Sequence, residues 1–313
     1  MPTSSRGFSF LLCACGLALS LSWPSAWAAE AKQAARILAA TFPVYQIARN
    51  LSQGIDGIEI DLMIPAGMGC PHDYALTPQD MRKLTQADAL IVNGLGMEEF
   101  LGAPLGKANP HLKIIDSSRG IGRILHTSDA ERDEAAENKH VPNPHLFASP
   151  RMAALLAANI ARGLAEAYPA GAGRFAANAQ AYIQRLNRLA DDMAALGGRL
   201  PYRRIVTQHG VFDYLARDMG LEVAAVIQAH PGQNPSAAEM LAVAAAIRAK
   251  KAAALFTEPQ YPEAVGAAIA REAGIVAARL DPAASGPEQA PLDYYEQVMR
   301  RNMIVLEQTL GSR

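Results

Sequence analysis

The stretch Gly69-Cys70-Pro71-His72-Asp73-Tyr74, with the residues on either side of it, decides the fold. Before it, residues 58–64 read Ile-Glu-Ile-Asp-Leu-Met-Ile and alternate apolar with acidic residues, as a β-strand does. After it, Thr77-Pro78 supplies an N-cap and a first-turn proline for a helix. His72 therefore lies between the carboxyl end of a strand and the start of a helix, where open α/β sheets bind ligands.

Composition excludes some classes of function and bounds the size of the core. The chain has 313 residues, 50% of them hydrophobic, which is enough for two domains with apolar interiors. Lys+Arg is 29 against Asp+Glu 30, so no basic excess points to a nucleic-acid partner, and we expect none.

The first residues have the features of an export signal. A basic Arg6 precedes an apolar run over 8–21, and Ala26-Trp27-Ala28 has the small-x-small pattern of a cleavage site. We predict that residues 1–28 are a signal peptide cleaved after Ala28 and that the mature chain is periplasmic. The alternative is a lipid anchor on Cys15, which we rank second because the apolar run before it is short.

Strand and helix patterns then alternate along the chain in two series, which favours parallel sheets covered by helices. The first series has strands near 35–41, 58–64, 89–92 and 112–115, with helices from Pro43, at 78–86 and from Pro150 to about Tyr168. The second has strands near 204–208, 222–227, 253–257 and 275–280, with helices at 211–219, 236–250, 262–273 and 292–310.

Residues 174–196 lie between the two series and form one long helical pattern, which Gly197-Gly198 should end. Roughly 23 residues at 1.5 Å each give a rod of about 35 Å. We therefore predict an α/β fold of two lobes, each with a mostly parallel β-sheet flanked by helices, joined by one long rigid connector helix. The expected division is an N-terminal lobe over 29–172, a connector helix over 173–198 and a C-terminal lobe over 199–313.

Four residues in these patterns are candidate metal ligands. His72 and His145 lie in loops before proline-initiated helices, and His209 and Asp281 lie at the ends of predicted strands. Three neutral imidazoles and one carboxylate complete a tetrahedral shell for Zn²⁺. Nitrogen-rich ligation favours zinc over manganese, calcium or magnesium, whereas copper and nickel would also bind such a set.

The other histidines and the remaining cysteine are weaker candidates. His111, His126, His140 and His230 are interpreted as surface or turn residues, although a place for His230 in the cleft stays open. Cys70 is close enough in sequence to reach the same metal, but three histidines and an aspartate already fill the shell. The polar segment 117–143 is predicted to be a surface loop, and whether it closes over the metal stays open.

The sequence resembles the metal-binding solute receptors of ABC importers, the cluster A-I or zinc/manganese family, over essentially all of the mature chain. Four ordered motifs carry the resemblance. They are residues 69–74 with Pro78, Ala87-Asp88 and Asn93-Gly94-Leu95-Gly96-Met97-Glu98; Asn143-Pro144-His145 with Phe147; Thr207-Gln208-His209-Gly210-Val211-Phe212; and Glu258-Pro259-Gln260 with Leu280-Asp281-Pro282.

The resemblance implies a function. A histidine at the third position, here His209, is associated in that family with zinc receptors, and a glutamate there with manganese receptors. The chain is thus expected to be a monomeric, high-affinity receptor that captures Zn²⁺ as a transported ligand and delivers it to an ABC permease in the inner membrane. Asn143 and Phe147 depart from the family, which usually has Asp and Trp at these positions.

Two other functions were weighed against the receptor. A closed four-ligand shell leaves no position for an activated water, so we expect no enzyme activity. In a zinc-dependent hydrolase, Asp281 would leave the metal and Glu258 or Asp213 would act as base. A metal-binding adhesin with the receptor fold is a third interpretation, which no feature of the sequence favours.

Overall fold

The structure is a computed structural model. It describes Met1 and residues 34–69, 71, 74–102, 108–126, 141–228 and 235–311. The signal-peptide prediction, His72 with its neighbours Cys70 and Asp73, and His140 and His230 lie outside these residues. So does most of the predicted surface loop, since residues 127–140 are not described.

The first half of the fold is a sheet of four parallel strands in the order β2-β1-β3-β4. Its strands are β1 (Ala35–Ala39), β2 (Ile58–Leu62), β3 (Ala89–Val92) and β4 (Lys113–Asp116), and its helices are α1 (Phe42–Leu51), α2 (Pro78–Gln86) and α3 (Pro150–Ala167). Helix α2 begins as the sequence predicts, because Thr77 and Asp80 form a capping box ahead of Pro78.

The second half repeats the arrangement with the order β6-β5-β7-β8, again with all strands parallel. Its strands are β5 (Arg204–Thr207), β6 (Glu222–Val226), β7 (Ala254–Thr257) and β8 (Val276–Arg279). Between these halves runs α4 (Ala172–Arg199), and the later helices are α5 (Asp213–Met219), α6 (Ala237–Lys250), α7 (Glu263–Ala273) and α8 (Tyr294–Leu310).

The strand order places a ligand-binding crevice in each sheet. After β1 the chain moves to one side to form β2 and then crosses to the other side for β3, and β5, β6 and β7 do the same. The point at which the direction reverses leaves a crevice at the carboxyl ends of the two central strands. In the second sheet, His209 and Glu258 follow these two strands, β5 and β7.

Helix α4 connects the halves and packs against both. It contacts α1 and α3 of the first half and α5 and α8 of the second. Its inward side is fully buried and includes Phe175, Tyr182, Leu186 and Leu189. These residues belong to one hydrophobic core that continues through both halves, so the two sheets are fixed to the same apolar interior.

The prediction that Gly197-Gly198 ends this helix is wrong, because α4 continues to Arg199 and has 28 residues. A Cβ atom on Gly197 would lie 2.0 Å from the carbonyl oxygen of Met219 at the end of α5. Gly197 is therefore needed for the close approach of two helices rather than for helix termination.

Near its middle, α4 makes polar contacts with α1 and α8. Arg185 Nη2 donates to Asn50 Oδ1 of α1 at 2.8 Å, and its Nε donates to Glu296 Oε1 of α8 at 3.0 Å. The side chain of Glu296 is 10% exposed but that of Arg185 is 41% exposed, so the ion pair is only partly shielded from water. One side chain thus connects the connector helix to both halves of the molecule.

The loop after β3 is closed by the partly buried carboxyl group of Glu98. The two oxygens of Glu98 accept the backbone N–H groups of Asn93 at 2.6 Å and Gly94 at 3.0 Å. Asn93 Nδ2 in turn donates to the carbonyl oxygen of Pro144 at 2.8 Å, next to His145. Burial raises the pKa of Glu98 to about 7, although the two N–H groups act to lower it.

No helix within the described ranges has both the length and the apolar character that crossing a bilayer requires.

Gly197→Ala should destabilise the protein by about 2–3 kcal/mol, because the new methyl group overlaps the Met219 carbonyl. Gly198→Ala is the matched control, since nothing lies within 4 Å of a Cβ atom there. That change should stabilise the helix by about 0.5–1 kcal/mol. Urea unfolding of the two variants checks both values, and equal effects would contradict the packing argument.

The pKa of Glu98 predicts a pH dependence of stability. Between about pH 4.5 and about pH 7 the folded chain holds a proton on Glu98 that the unfolded chain has released, so the free energy of unfolding falls as the pH rises. In the metal-free Glu98→Gln variant this decline should be smaller by about 1–3 kcal/mol. Urea unfolding at about pH 5 and about pH 8 tests this, and the prediction fails if both proteins decline equally.

Candidate metal centre

His145 and His209 come from opposite halves of the fold and meet in its interior. His145 precedes a short 3₁₀ turn (Leu146–Ala148) before α3, and His209 follows β5. Their ring centroids are 4.9 Å apart at an interplanar angle of 75°. His145 is 4% exposed and His209 is 0% exposed. The structure thus brings two of the four predicted ligands together.

Asn143 orients the imidazole of His145. Its side-chain oxygen Oδ1 lies 2.8 Å from His145 Nδ1 and accepts the backbone N–H of the same residue at 3.0 Å. An acceptor at this position favours the tautomer with the proton on Nδ1, so that Nε2 is the atom available to a metal. The sequence marked Asn143 as a departure from the family pattern without assigning it a role.

Glu258 occupies the equivalent position beside His209. Its Oε1 lies 2.8 Å from His209 Nδ1, and both side chains are buried. Its other oxygen, Oε2, accepts a hydrogen bond from Gln260 Nε2 at 2.5 Å. A carboxylate at this distance places negative charge beside the ring, which increases the basicity of Nε2.

The residues that flank His72 reach the same region, although His72 itself is not described. Gly69 has φ of 77°, and a Cβ atom there would lie 3.4 Å from Gln260 Cγ. Pro71 lines a small cavity together with Phe147, which follows His145, and Ala284, which follows Asp281. Two described residues on the N-terminal side of His72, Gly69 and Pro71, therefore lie near the loops that carry His145 and Asp281.

The end of that loop is anchored on α2. Asp80 Oδ2 accepts the hydroxyl of Tyr74 at 2.7 Å and the backbone N–H of Thr77 at 2.8 Å. Burial acts to raise the pKa of Asp80, but the hydrogen bonds from Thr77 and Tyr74 outweigh it and lower the pKa. Burial, together with this contact with Asp80, raises the pKa of Tyr74 to about 12. Tyr74 is thus fixed two residues after His72.

Asp281 follows β8 and is held by local hydrogen bonds. Its Oδ1 accepts the N–H of Ala283 at 2.8 Å, and Asn302 bonds its backbone on both sides at 3.0 and 2.7 Å. Burial raises the pKa of Asp281, against the effects of Ala283 and Arg301. Because β8 lies beside β7, Asp281 and Glu258 lie at the same edge of the sheet, and the strand order predicts that Asp281 lies near the histidines.

Among the described residues, no group of three or more His, Cys, Asp or Glu side chains forms a metal site. Since His72 lies outside them, the four-ligand set stays a prediction. Of the histidines that the sequence assigned to the surface, His111 is exposed, and His126 pairs with Pro142 in an isolated β-bridge.

Sequence reasoning missed the role of Glu258, which it considered only as a base in a hydrolase. Its position could have indicated this role. Glu258 follows β7, a central strand next to β5, and His209 follows β5 at the point where the strand order reverses. Asp213, the other base considered, lies 3.0 Å from Asn143 Nδ2 through its Oδ2. Both carboxylates are thus engaged in orienting neighbouring side chains.

Comparison with known proteins agrees with this geometry. A family described as "Zinc-uptake complex component A periplasmic" matches residues 37–309. The zinc-binding protein AdcA of Streptococcus pyogenes serotype M3 is 29% identical over 292 residues, which are 88% of this chain and 56% of AdcA. The chain thus spans about half the length of the curated relatives of this type.

Solved structures support the fold. The solute-binding protein FpvC of Pseudomonas aeruginosa, in complex with Mn²⁺, superposes with a TM-score of 0.76 at 28% identity, covering 89% of this chain and 99% of FpvC. A crystal structure of ZnuA superposes with a TM-score of 0.74 at 27% identity, covering 89% of this chain and all of that one (100%). The predicted two-lobed α/β class is therefore confirmed.

The family match extends over most of the chain and includes both sheets and α4. The chain belongs to the ZnuA family, the periplasmic A components of zinc-uptake complexes.

Proposed function

We propose that this protein is a receptor that captures Zn²⁺ in the periplasm and delivers it to an ABC permease of the inner membrane. The observation that carries the proposal is the meeting of two buried imidazoles from opposite halves, with ring centroids 4.9 Å apart. Each has an acceptor near its Nδ1, which directs Nε2 toward a shared metal.

The ligand set that we propose is His72, His145, His209 and Asp281. Nε2 is the ligand atom of His145 and His209, and Oδ2 is the ligand atom of Asp281, whose Oδ1 accepts the N–H of Ala283. Three nitrogens and one oxygen suit a tetrahedral Zn²⁺ ion. The cavity that borders Pro71, Phe147 and Ala284 supports the inclusion of His72.

Charge also supports a divalent cation as the ligand. Glu258 is 0% exposed and Asp281 is partly buried, and a carboxylate removed from water is costly unless a positive charge lies near it. A bound Zn²⁺ ion would compensate both charges, so metal binding and the desolvation of these groups favour each other.

We also propose how the protein is exported and how its chain is divided into lobes. Residues 1–28 would be removed as a signal peptide after Ala28, with a lipid anchor on Cys15 as the alternative, and the mature N-terminus distinguishes the two. The mature protein would act as a monomer, with an N-terminal lobe over 29–172, a connector helix over 173–198 and a C-terminal lobe over 199–313.

Metal competition tests the proposal. Purified mature protein offered equal amounts of zinc, manganese and copper should retain about one zinc per chain, because the ligand set is tetrahedral and nitrogen-rich. His209→Ala should lower zinc affinity by about 100-fold or more, because it leaves Glu258 buried without its ring. Metal content by mass spectrometry and competition with a zinc chelator measure both.

His111→Ala is the matched control, since His111 is an exposed histidine away from the site, and its zinc affinity should equal that of the wild type. The proposal is overturned if manganese is retained in preference to zinc, or if His209→Ala holds zinc as tightly as the wild type.

Glu258→Gln should weaken zinc binding by about 10–100-fold without abolishing it, because the amide removes a negative charge but keeps the shape that supports His209. Glu263→Gln, an exposed glutamate of α7 paired with Arg279, serves as the control and should bind zinc normally. Titration calorimetry with a competing chelator measures the two affinities. An unchanged affinity in Glu258→Gln would mean that Glu258 does not act through His209.

A further inference from the structure

Asn143 differs from the other polar residues of the site because its side chain joins the two halves. On one side it contacts His145, as described above. On the other, its Nδ2 donates to the carbonyl oxygen of Gly210 at 2.8 Å and to Asp213 Oδ2 at 3.0 Å. Gly210 directly follows His209, and Asp213 begins α5. One amide therefore spans the loops of two proposed ligands.

The bonding capacity of this amide is fully used. Its oxygen has two lone pairs and faces two donors on His145, and its nitrogen has two hydrogens and faces two acceptors, Gly210 O and Asp213 Oδ2. Asn143 is 0% exposed, so no water substitutes for a lost partner without rearrangement. The reversed orientation of the amide would place oxygen against two acceptors, which fixes the assignment.

The backbone of Asn143 is held from the second half as well. Its carbonyl oxygen accepts the hydroxyl of Tyr214 at 2.8 Å, and that hydroxyl also accepts the N–H of Leu125 at 3.0 Å. The N–H of Asn143 donates to Leu125 O at 2.8 Å. The residue is thus fixed independently of its side chain, and a change of side chain there alters the contacts between loops rather than the path of the chain.

An aspartate at this position would behave differently. A carboxylate offers no donors, so it would lose the bonds to Gly210 and Asp213 and would face the Asp213 carboxylate at hydrogen-bond distance. The neutral amide and the neighbouring Asp213 are therefore a matched pair. Carboxylates at both 143 and 213 would repel each other, so one of the two positions needs an amide.

We propose that Asn143 is a positioning residue that locks the His145 loop to the His209 loop and thereby sets the rate at which zinc leaves. The inference rests on the proposed function, since it concerns release of the same metal. Separation of the two histidines requires that the amide break its bonds to Gly210 and Asp213 or to His145. Zinc release then includes this step, and the strength of the lock controls it.

The test is the zinc dissociation rate of the mature protein, measured by stopped flow against an excess of chelator. Asn143→Asp should release zinc about tenfold faster or more, because its carboxylate cannot donate to Gly210 and is repelled by Asp213. The double variant Asn143→Asp with Asp213→Asn restores a donor opposite a carboxylate but not the bond to Gly210, so its rate should fall between those of Asn143→Asp and the wild type.

Two controls separate positioning from general stability. Asp213→Asn alone should release zinc at nearly the wild-type rate, since its side-chain oxygen still accepts from Asn143. Asn178→Ala removes an amide that bonds Leu51 O and Gln53 O, both at 2.9 Å, far along α4. It should lower the melting temperature of the metal-free protein without changing the zinc dissociation rate.

The His145 tautomer gives a readout that a purely structural role would not change. In ¹⁵N spectra of the metal-free wild type, His145 should carry its proton on Nδ1, and in Asn143→Ala the ring should become a mixture of tautomers.

The outcomes distinguish this inference from the proposed function. Slower zinc release in Asn143→Asp would mean that added negative charge, rather than the lock, governs binding, and would overturn the inference. An equal rate in the single and double variants would overturn it too, while leaving the receptor proposal intact if the wild type binds zinc. A wild type that binds no zinc would overturn both.

Discussion

The whole arrangement depends on one apolar core that continues beneath α4 from the first sheet to the second. Phe175, Tyr182 and Leu186 on α4 are buried against helices of both halves. Wide separation of the halves would expose this surface to water at a cost of about 25 cal/mol for each Å². The carboxyl edges of the two sheets are therefore held opposite each other, and loops that are far apart in sequence contribute to one site.

Within that constraint, the two central histidines are supported in different ways. His145 has a neutral amide near its Nδ1 and His209 has a carboxylate. A carboxylate partner makes an imidazole a stronger donor to a metal, whereas an amide fixes the ring without adding charge. The proposed metal site would thus have one ligand beside a carboxylate and one beside a neutral amide, which limits the negative charge buried there when no metal is present.

Local sequence patterns were sufficient for the elements of this fold. The period of apolar residues, the capping residue Thr77 and the first-turn prolines located the helices, and short apolar runs located both sets of parallel strands. The same patterns gave the wrong prediction at Gly197. This glycine leaves room for the carbonyl of Met219 on another helix, and the sequence around Gly197 does not indicate that contact. Two neighbouring glycines otherwise indicate the end of a helix.

The candidate site was predictable in part for the same reason. Loop histidines at strand ends identify possible ligands from the sequence alone. Glu258 and Asn143 act through contacts with residues that lie far from them in sequence or in the other half, so their roles emerge only after the sheets are assembled. The residue type of Glu258 did not identify its role either, since a buried glutamate after a strand is as consistent with a catalytic base as with a partner for histidine.

The contact of Arg185 with Asn50 and Glu296 lies close to the midpoint of α4, and this gives the connector a mechanical property. A helix of this length extends about 20 Å on either side of its middle. If the halves tilt about that point by about 5°, groups at this distance move by about 2 Å. That displacement equals the length of a Zn–N bond, about 2.0–2.1 Å. A tilt too small to disrupt the core is thus large enough to move a group near either end of α4 by the length of a metal–ligand bond, because the helix is long.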